Sequence, residues 1–270
     1  MIAEEISGQF ALVREKCPLV HCITNYVTVN DVANAILAIG ASPIMADDIN
    51  EAADIASISS ALVINMGTLN QRTVASMLAA GKAANKKGIP VVFDPVGAGA
   101  SAFRNETAKA VMKNVRVDIL RGNLSEMSFM AGLEVSTKGV DSAAEDEKND
   151  AVSVAKTVAE KFGCIAAITG AVDTISDGGR VIRISNGHSA LSKVTGTGCM
   201  TSGIVGSFAG ASDDMLLAAA AGICAMGIAG EIAYEKAGKI GTGSFHIAII
   251  DALSRLDGAL AAERIRADEK

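Results

Sequence analysis

The chain has 270 residues, half of them apolar, and a formal net charge of −6. Chains of about 200 to 250 residues can still form one domain with a large core, so we expect a single domain over residues 1–270. No basic run offsets the acidic balance, which argues against nucleic acid or an anionic membrane surface as the main partner. The five cysteines are odd in number and form no Cys-x-x-Cys pair, which argues against a disulfide framework or a zinc site.

Short apolar runs alternate with helical patterns along the first part of the chain. Strands are predicted at 18–24, 42–46, 61–65, 90–94, 117–120 and 164–169. Helices are predicted at 32–39, 51–58, 71–87, 104–113 and 125–131. This alternation is typical of an α/β fold in which a mainly parallel sheet carries helices on both faces.

The pattern changes beyond Thr169. Segments 172–176 and 180–185 flank the turn formed by Asp177, Gly178 and Gly179, which predicts an antiparallel hairpin. Three helices should follow and close the fold. We expect them to begin near Gly198, Asp213 and Ser244.

Three further segments bear on location and assembly. The acidic N-terminus lacks the basic and apolar regions of a signal peptide, so together with the unpaired cysteines it predicts a reducing, cytoplasmic location. The apolar stretch 215–230 is shorter than the ~20 residues that cross a bilayer, which favours a buried helix covered by the core or by a neighbouring subunit. The acidic segment 134–150 is predicted to be an exposed loop.

Polar residues follow several of the predicted strands, where open α/β sheets bind their ligands. Asp94 and Glu126 are candidate ligands of Mg²⁺, directly or through water, because this ion prefers carboxylates and keeps several waters. Arg121 suits a nucleotide phosphate, and Thr169 follows the last parallel strand. The alternatives are structural, since a strand-end Asp often caps a helix and an Arg often pairs with an acid.

A glycine-rich turn, Thr195 to Cys199, comes directly before an apolar helical pattern. Gly196 and Gly198 allow close approach to a ligand, and the N–H groups of the helix start, including that of Thr197, would point at an anion. The turn therefore predicts a phosphate or oxyanion site, although a plain helix entry has the same pattern. The helix dipole would favour a thiolate at Cys199, and a buried apolar role is the alternative.

A second glycine pattern matches the spacing of dinucleotide-binding proteins. Gly97, Gly99 and Ala102 follow a strand and precede a helix. That fingerprint normally opens the first strand–helix–strand unit, whereas four predicted strands precede it here, so we discount it. The chain also contains no Walker A sequence, and any nucleotide binding must be of another type.

Five stretches together resemble the hydroxyethylthiazole kinase family along nearly the whole chain and in the same order. They are residues 18–34, 40–45, 94–99, 121–126 and 195–199. The resemblance implies a ribokinase-like fold and a homotrimer with active sites between subunits. It also implies ATP- and Mg²⁺-dependent phosphorylation of the primary hydroxyl of 4-methyl-5-(2-hydroxyethyl)thiazole, the thiazole half of thiamine, in thiamine salvage.

The same resemblance assigns roles to individual residues. It places the thiazole against Met45 and Gly196, with Asn25, Val27 and Thr28 near it. It places ATP against Arg121 and Thr169, and the metal and phosphates against Asp94 and Glu126. Cys199 stands where most ribokinase-like enzymes have an Asp that accepts the hydroxyl proton. Because positioning and charge stabilisation should outweigh proton removal in phosphoryl transfer, our hypothesis is that Gly196, Thr197, Gly198 and Cys199 form the anion hole, with Cys199 as a modest base or as pocket wall.

Two other functions remain open. Another ribokinase-like enzyme, such as a hydroxymethylpyrimidine kinase or a nicotinamide-hydrate dehydratase, would share the sheet and the glycine turn. Segment 21–34, and Cys199 in place of Asp, argue against it. A non-catalytic nucleotide or thiazole sensor would fit a lost base, but the intact Asp94, Arg121 and Glu126 favour an enzyme.

Overall fold

The computed structural model describes residues 1–133 and 150–270 of the chain. Its strands are β1 (Leu19–Ile23), β2 (Ser42–Ile44), β3 (Ala61–Asn65), β4 (Val91–Asp94), β5 (Ile119–Asn123), β6 (Ile165–Thr169), β7 (Asp173–Ser176), β8 (Val181–Ile184) and β9 (Ala267–Glu269). In these residues they form one nine-stranded sheet in the order β2-β1-β3-β4-β5-β6-β7-β8-β9.

The α-helices of the described residues are α1 (Ile2–Lys16), α2 (Val29–Ile39), α3 (Ala52–Ile58), α4 (Gln71–Lys87), α5 (Ala102–Asn114), α6 (Leu124–Ala131), α7 (Ala151–Phe162), α8 (Thr197–Ala211), α9 (Met215–Ala237), α10 (Thr242–Arg255) and α11 (Gly258–Arg264). A short 3₁₀ helix, Ser189–Lys193, precedes α8.

The predicted parallel sheet and the antiparallel hairpin are both confirmed. Strands β1 to β6 pair in parallel, for example Val63 opposite Val92. Strands β7 and β8 form the hairpin, with Asp173 opposite Ile184, and both of their sheet neighbours are antiparallel to them. Right-handed crossovers of parallel strands place helices on the two faces of such a sheet.

Two apolar cores cover the sheet, one on each face. The larger core contains side chains of α1, α2, α8, α9, α10 and α11. The other contains side chains of α3 to α7. Phe10 of α1 meets Phe208 of α8 edge-on in the larger core, with ring centroids 5.0 Å apart. The small residues of α8 and α9 allow these two helices to pack closely beneath the sheet.

Some elements were not predicted from the sequence. Helices α1, α7 and α11 were missed, and so was β9, a three-residue strand that pairs with β8 at the sheet edge. A strand as short and polar as β9 has no alternating apolar pattern. It forms because it pairs with β8, which lies far from it in the sequence. The predicted loop 134–150 lies outside the described residues, apart from Asp150, which caps α7 through Val152 N and Ser153 N.

Helix α9 is long and apolar enough to cross a membrane, but 89% of its most apolar window is buried inside the protein. Helices α1, α8 and α10 pack against it. The apolar surface of α9 is therefore covered by helices of the same chain, which is one of the two arrangements predicted from the sequence. The burial of α9 gives no reason to expect a neighbouring subunit.

Two helix glycines provide a stability test of the α8–α9 contact. A Cβ added at Gly222 of α9 would lie 2.7 Å from Val205 Cα, whereas one added at the exposed Gly8 of α1 meets nothing within 4 Å. We expect Gly222→Ala to lower the free energy of unfolding by about 1–3 kcal/mol. Gly8→Ala should raise it by up to about 1 kcal/mol. Urea unfolding measures both, and equal shifts would contradict the close packing.

Candidate active site

The carboxyl ends of β4, β5 and β6 and the start of α8 meet at one edge of the sheet. They surround a cavity of about 730 Å³. Its lining includes the predicted site residues Asn25, Asp94, Arg121, Glu126, Thr169, Gly196, Thr197, Gly198 and Cys199. The parallel topology thus brings together residues that are up to 174 positions apart in the sequence.

Asp94 lies at the end of β4 with only 1% of its surface exposed. Its Oδ2 accepts hydrogen bonds from Ser202 Oγ at 2.6 Å, Asn65 Nδ2 at 2.8 Å and Arg121 Nη1 at 3.3 Å. Burial raises the pKa of Asp94, and the charge of Arg121 and these hydrogen bonds oppose that shift. Its Oδ1 is buried and has no hydrogen-bond partner among the described residues. One oxygen is therefore anchored, and the other is available to a cation.

Arg121 extends from β5 into the wall of the cavity. Its Nη2 donates to Thr169 Oγ1 at 2.7 Å and its Nη1 donates to Gly198 O at 3.2 Å, in addition to the ion pair with Asp94. The Nε of Arg121 is buried and has no partner in the described part of the chain. The guanidinium is therefore held in place through Nη1 and Nη2, while Nε keeps a donor for an anion.

Glu126 combines a structural and a possible ligand-binding role. Its Oε2 accepts from Asn123 N at 2.9 Å and its Oε1 from Gly97 N at 2.8 Å, while Asn123 Oδ1 accepts from Glu126 N and so completes a capping box for α6. Burial, with the charge of Asp94 second, raises the pKa of Glu126 to about 7. Each carboxyl oxygen keeps a second lone pair, which suits contact with a cation through water.

The predicted anion site is built around Gly196, the residue before α8. Gly196 has φ of 88°, and a Cβ at this position would lie 2.5 Å from Thr28 Cγ2. Gly196 has no side chain to cap α8, so among the described residues its position leaves the first N–H groups of the helix to a ligand. The hydroxyl of Thr197 donates to Leu191 O at 3.2 Å, so this residue offers its backbone rather than its side chain.

Cys199 is buried in the first turn of α8, beside two amide groups. Its Sγ accepts from Asn65 Nδ2 at 3.5 Å and from Asn25 Nδ2 at 3.9 Å. Burial, followed by the negative charge of Asp94, raises the pKa of this thiol. Burial therefore opposes the thiolate that the helix dipole would favour, because desolvation disfavours the charged form.

Alkylation of the cysteines tests whether the thiol of Cys199 is buried and neutral. All five are free; Cys17 is exposed, whereas Cys199 is buried. Burial also raises the pKa of Cys22 and of Cys164 to about 12. We expect iodoacetamide at neutral pH to modify Cys17 and to leave Cys199 unmodified, because alkylation requires a thiolate. Peptide mass spectrometry, with Cys17→Ser as control, measures this, and rapid labelling of Cys199 in the folded protein would contradict it.

The residues predicted to bind the thiazole are not gathered in this cavity, apart from Asn25 and Gly196. Met45 is half-buried against the larger core, and Val27 has 58% of its surface exposed. Thr28 is fully buried against Gly196 and shapes the turn from behind. Of the five residues predicted to bind the thiazole, Asn25 and Gly196 therefore line the cavity, whereas Met45, Val27 and Thr28 do not.

Several residues of the site were missed by the sequence analysis. Asn65 ends β3, as Asp94 ends β4, so the strand-end rule could have found it. Ser202 lies in an apolar helix and left no signal. Asp173 lines the cavity, accepts from Gly170 N at 2.9 Å, and has its pKa raised to about 7 by burial. Arg104 joins the loops after β3 and β4 by donating to Met66 O, Val96 O and Gly67 O.

The discounted dinucleotide pattern has its N–H groups occupied within the protein. Gly97 N donates to Glu126 Oε1 and Gly99 N donates to Asn105 Oδ1 at 2.7 Å. These two bonds hold the loop between β4 and α5, so neither of the two glycine N–H groups is available to a pyrophosphate.

The donor set of the cavity fits Mg²⁺ better than a softer metal. No group of three or more His, Cys, Asp or Glu side chains suited to a metal occurs in residues 1–133 and 150–270. An ion that keeps several waters and bridges phosphates needs only one or two carboxylates. The buried Oδ1 of Asp94, which has no partner in the described part of the chain, and the neighbouring Glu126 are suited to such an ion.

Known proteins resemble this chain over its whole length. The family model described as "Hydroxyethylthiazole kinase family" matches residues 10–259. A hydroxyethylthiazole kinase of Ruminiclostridium cellulolyticum is 62% identical over 267 residues, which cover 98% of each chain. One from Clostridium beijerinckii is 63% identical over 258 residues, or 94% of each chain.

Solved structures agree with these relatives. The structure of a hydroxyethylthiazole kinase protein from Pyrococcus horikoshii OT3 has a TM-score of 0.89 at 38% identity and covers 98% of both chains. A ribokinase-like superfamily protein from Enterococcus faecalis V583 has a TM-score of 0.64 at 10% identity, covering 93% of this chain and 89% of the other. The Enterococcus faecalis structure supports the ribokinase-like fold alone, whereas the Pyrococcus horikoshii protein is similar in both fold and sequence. The chain belongs to the hydroxyethylthiazole kinase family.

Proposed function

We propose that the protein transfers the γ-phosphoryl group of ATP, with Mg²⁺, to the primary hydroxyl of 4-methyl-5-(2-hydroxyethyl)thiazole. Membership of the family identifies it as a kinase of thiamine salvage. The observation that carries the ATP and Mg²⁺ proposal is a pair of buried atoms at one cavity that have no hydrogen-bond partner among residues 1–133 and 150–270. Asp94 Oδ1 could accept a cation, and Arg121 Nε could donate to an anion.

In this proposal the polar wall of the cavity binds the nucleotide. Arg121 and Thr169, joined by a 2.7 Å hydrogen bond, would hold the phosphates. Asp94, and Glu126 through water, would hold Mg²⁺, which when bound neutralises phosphate charge. The N–H groups of Thr197, Gly198 and Cys199 would receive the transferring phosphoryl group at the positive end of α8.

Proton removal is the lesser part of the proposed mechanism. Burial raises the pKa of the Cys199 thiol and so favours its neutral form. Phosphoryl transfer passes through a loose transition state, so alignment of the hydroxyl and stabilisation of charge outweigh a strong base. Cys199 would thus form the wall beside the hydroxyl, with Asn25 and Asn65 fixing its sulfur.

Cys199→Asp tests this role. Two amide donors already face the sulfur, at 3.5 Å from Asn65 and 3.9 Å from Asn25, and they could receive a carboxylate. We expect this variant to retain at least the wild-type kcat, since it adds a base where only positioning was present. Steady-state kinetics at saturating Mg·ATP measure it. A loss of activity beyond about a hundredfold in a folded variant would mean that the thiol has a specific role.

We also propose a homotrimer whose active sites lie between subunits. Two observations support it: Met45 and Val27 lie outside the cavity, and exposed apolar side chains lie on α2, α3, α10 and the adjoining loops. These side chains are Tyr26, Val27, Leu37, Ile58, Ile240 and Ile247. Light scattering after gel filtration tests the assembly, and a catalytically active monomer would overturn it.

We further propose that residues 1–270 form one kinase domain and that it acts in the cytoplasm. A single sheet that runs through the described residues supports the first proposal. Five free cysteines are compatible with a reducing compartment and support the second.

The decisive experiment is ADP release from Mg·ATP with three acceptors: the hydroxyethyl-methylthiazole, hydroxymethylpyrimidine, and none. Turnover with the thiazole, and a phosphorylated product by mass spectrometry, would support the proposal. A preference for the pyrimidine would support a hydroxymethylpyrimidine kinase instead. Binding of ATP or thiazole without turnover would support a non-catalytic sensor.

A further inference from the structure

A hydroxyl group in the apolar helix α8 contacts the proposed metal site. Ser202 is fully buried, and its Oγ donates to Asp94 Oδ2 at 2.6 Å. The same Oγ lies 3.3 Å from Gly198 O, the carbonyl one turn earlier. A hydroxyl has one proton to donate, and the shorter contact to a carboxylate is the stronger of the two. Ser202 therefore gives its hydrogen bond to Asp94.

The second donor, Asn65, is fixed in orientation by the loop that follows β3. Its Oδ1 accepts from Gly67 N at 2.8 Å, so its amide nitrogen must face the other way. That nitrogen donates to Asp94 Oδ2 at 2.8 Å and to Cys199 Sγ at 3.5 Å. Asn65 has 2% of its surface exposed, and its amide is thus committed to the protein on both sides.

The two donors act on the same oxygen. Together with Arg121 Nη1 they place three hydrogen bonds on Asp94 Oδ2 and leave Oδ1 with no partner among the described residues. A carboxylate held in this way by one oxygen cannot rotate without breaking its short bonds. The position of Oδ1 relative to the cavity is therefore fixed.

We propose that Ser202 and Asn65 are positioning residues that hold the carboxylate of Asp94 with Oδ1 directed at the cation, and so set the Mg²⁺ affinity of the kinase. This inference rests on the proposed function, in which Asp94 is the Mg²⁺ ligand. Groups that hydrogen-bond to a metal ligand orient it, and their loss typically weakens metal binding by about 10- to 100-fold. Neither residue lines the cavity, so we expect Ser202 to act through Asp94, and Asn65 to act through Asp94 and through Cys199, to which it also donates.

The test compares two serines of the same helix. Ser202 and Ser207 are both fully buried, and within the described part of the chain the Oγ of Ser207 donates to Gly203 O of α8, at 3.0 Å. We expect Ser202→Ala to raise the dissociation constant of Mn²⁺, measured by electron paramagnetic resonance of the protein with ADP, by about tenfold. The Mg²⁺ concentration for half-maximal activity should rise equally, with KM for the thiazole unchanged. Ser207→Ala should change neither quantity.

Further variants keep the test decisive. Ser202→Cys, which retains a weak donor of similar size, should recover part of the Mn²⁺ affinity, and Asn65→Leu should lose affinity as Ser202→Ala does. Equal Mn²⁺ affinities of Ser202→Ala and Ser207→Ala would overturn the inference.

The Asp94→Asn variant distinguishes a failure of this inference from a failure of the proposed function. If Asp94→Asn binds Mn²⁺ as wild type does, the metal site itself is misassigned. If only Asp94→Asn is impaired, the site stands and the positioning role fails.

Discussion

Asp94→Asn should lower kcat by about 1000-fold at saturating ATP and thiazole, as loss of one group that stabilises transition-state charge costs about 10²- to 10³-fold or more. The structure makes an amide unusually harmful here. Three donors surround the Oδ2 position, from Ser202, Asn65 and Arg121. The amide oxygen must occupy that position, which turns the amide nitrogen to the Oδ1 position and presents hydrogens to the cation.

The control for this variant is Asp257→Asn. Asp257 Oδ1 accepts from Leu260 N at 2.8 Å as the cap of α11, and it does not line the cavity. Asn serves equally well at a helix N-cap, so stability and kcat should stay unchanged. Circular dichroism verifies that both variants fold. If the folded Asp94→Asn enzyme retained kcat within about tenfold of wild type, Asp94 would not be the metal ligand.

Gly196→Ala should lower kcat/KM by about 100-fold, because a displacement of about 1 Å at a reacting group can cost that much. The residue has φ of 88°, a left-handed conformation that costs an L-residue about 1–2 kcal/mol. The added methyl would also lie 2.5 Å from Thr28 Cγ2, and Thr28 is fully buried and cannot move outward. The start of α8 would therefore shift away from the phosphate.

Gly88→Ala separates the effect of backbone strain from that of the displaced turn. Gly88 ends α4 with φ of 83°, close to that of Gly196, but a Cβ there meets nothing within 4 Å. We expect a loss of about 1–2 kcal/mol in unfolding free energy with unchanged kinetics. Chemical unfolding and steady-state assays measure the two quantities. Equal kinetic effects of the two alanines would mean that the glycine turn does not position the phosphate.

Much of the fold could be predicted from periodicity. The buried strands β3 and β4 are continuous apolar runs with sharp ends, and they were predicted within one residue of their observed bounds. Strand β5 was predicted at 117–120 but spans Ile119–Asn123, because Arg121 and Asn123 are polar residues that face the cavity. A site residue within a strand interrupts the apolar pattern that identifies the strand.

The protonation of Cys199 illustrates what sequence reasoning could not supply. Its place at the start of α8 was correctly predicted, and the helix dipole at that place favours a thiolate. The structure adds burial and the nearby Asp94, both of which favour the neutral thiol. The effect of the helix dipole follows from the position of Cys199 in the sequence, whereas burial and the charge of Asp94 depend on the tertiary fold.

By itself, the sequence determined the alternation of strands and helices, the polar residues at strand ends and the glycine turn before α8, because these depend on near neighbours in the chain. Only the tertiary structure decided that Asn65 and Ser202 meet at one oxygen of Asp94, while the other has no partner among the described residues. These residues lie 29 and 108 positions from Asp94, and their contact arises from parallel strand order and from α8 packing beneath the sheet. Such contacts leave no periodic signal in the sequence, since they are set by the packing of whole elements.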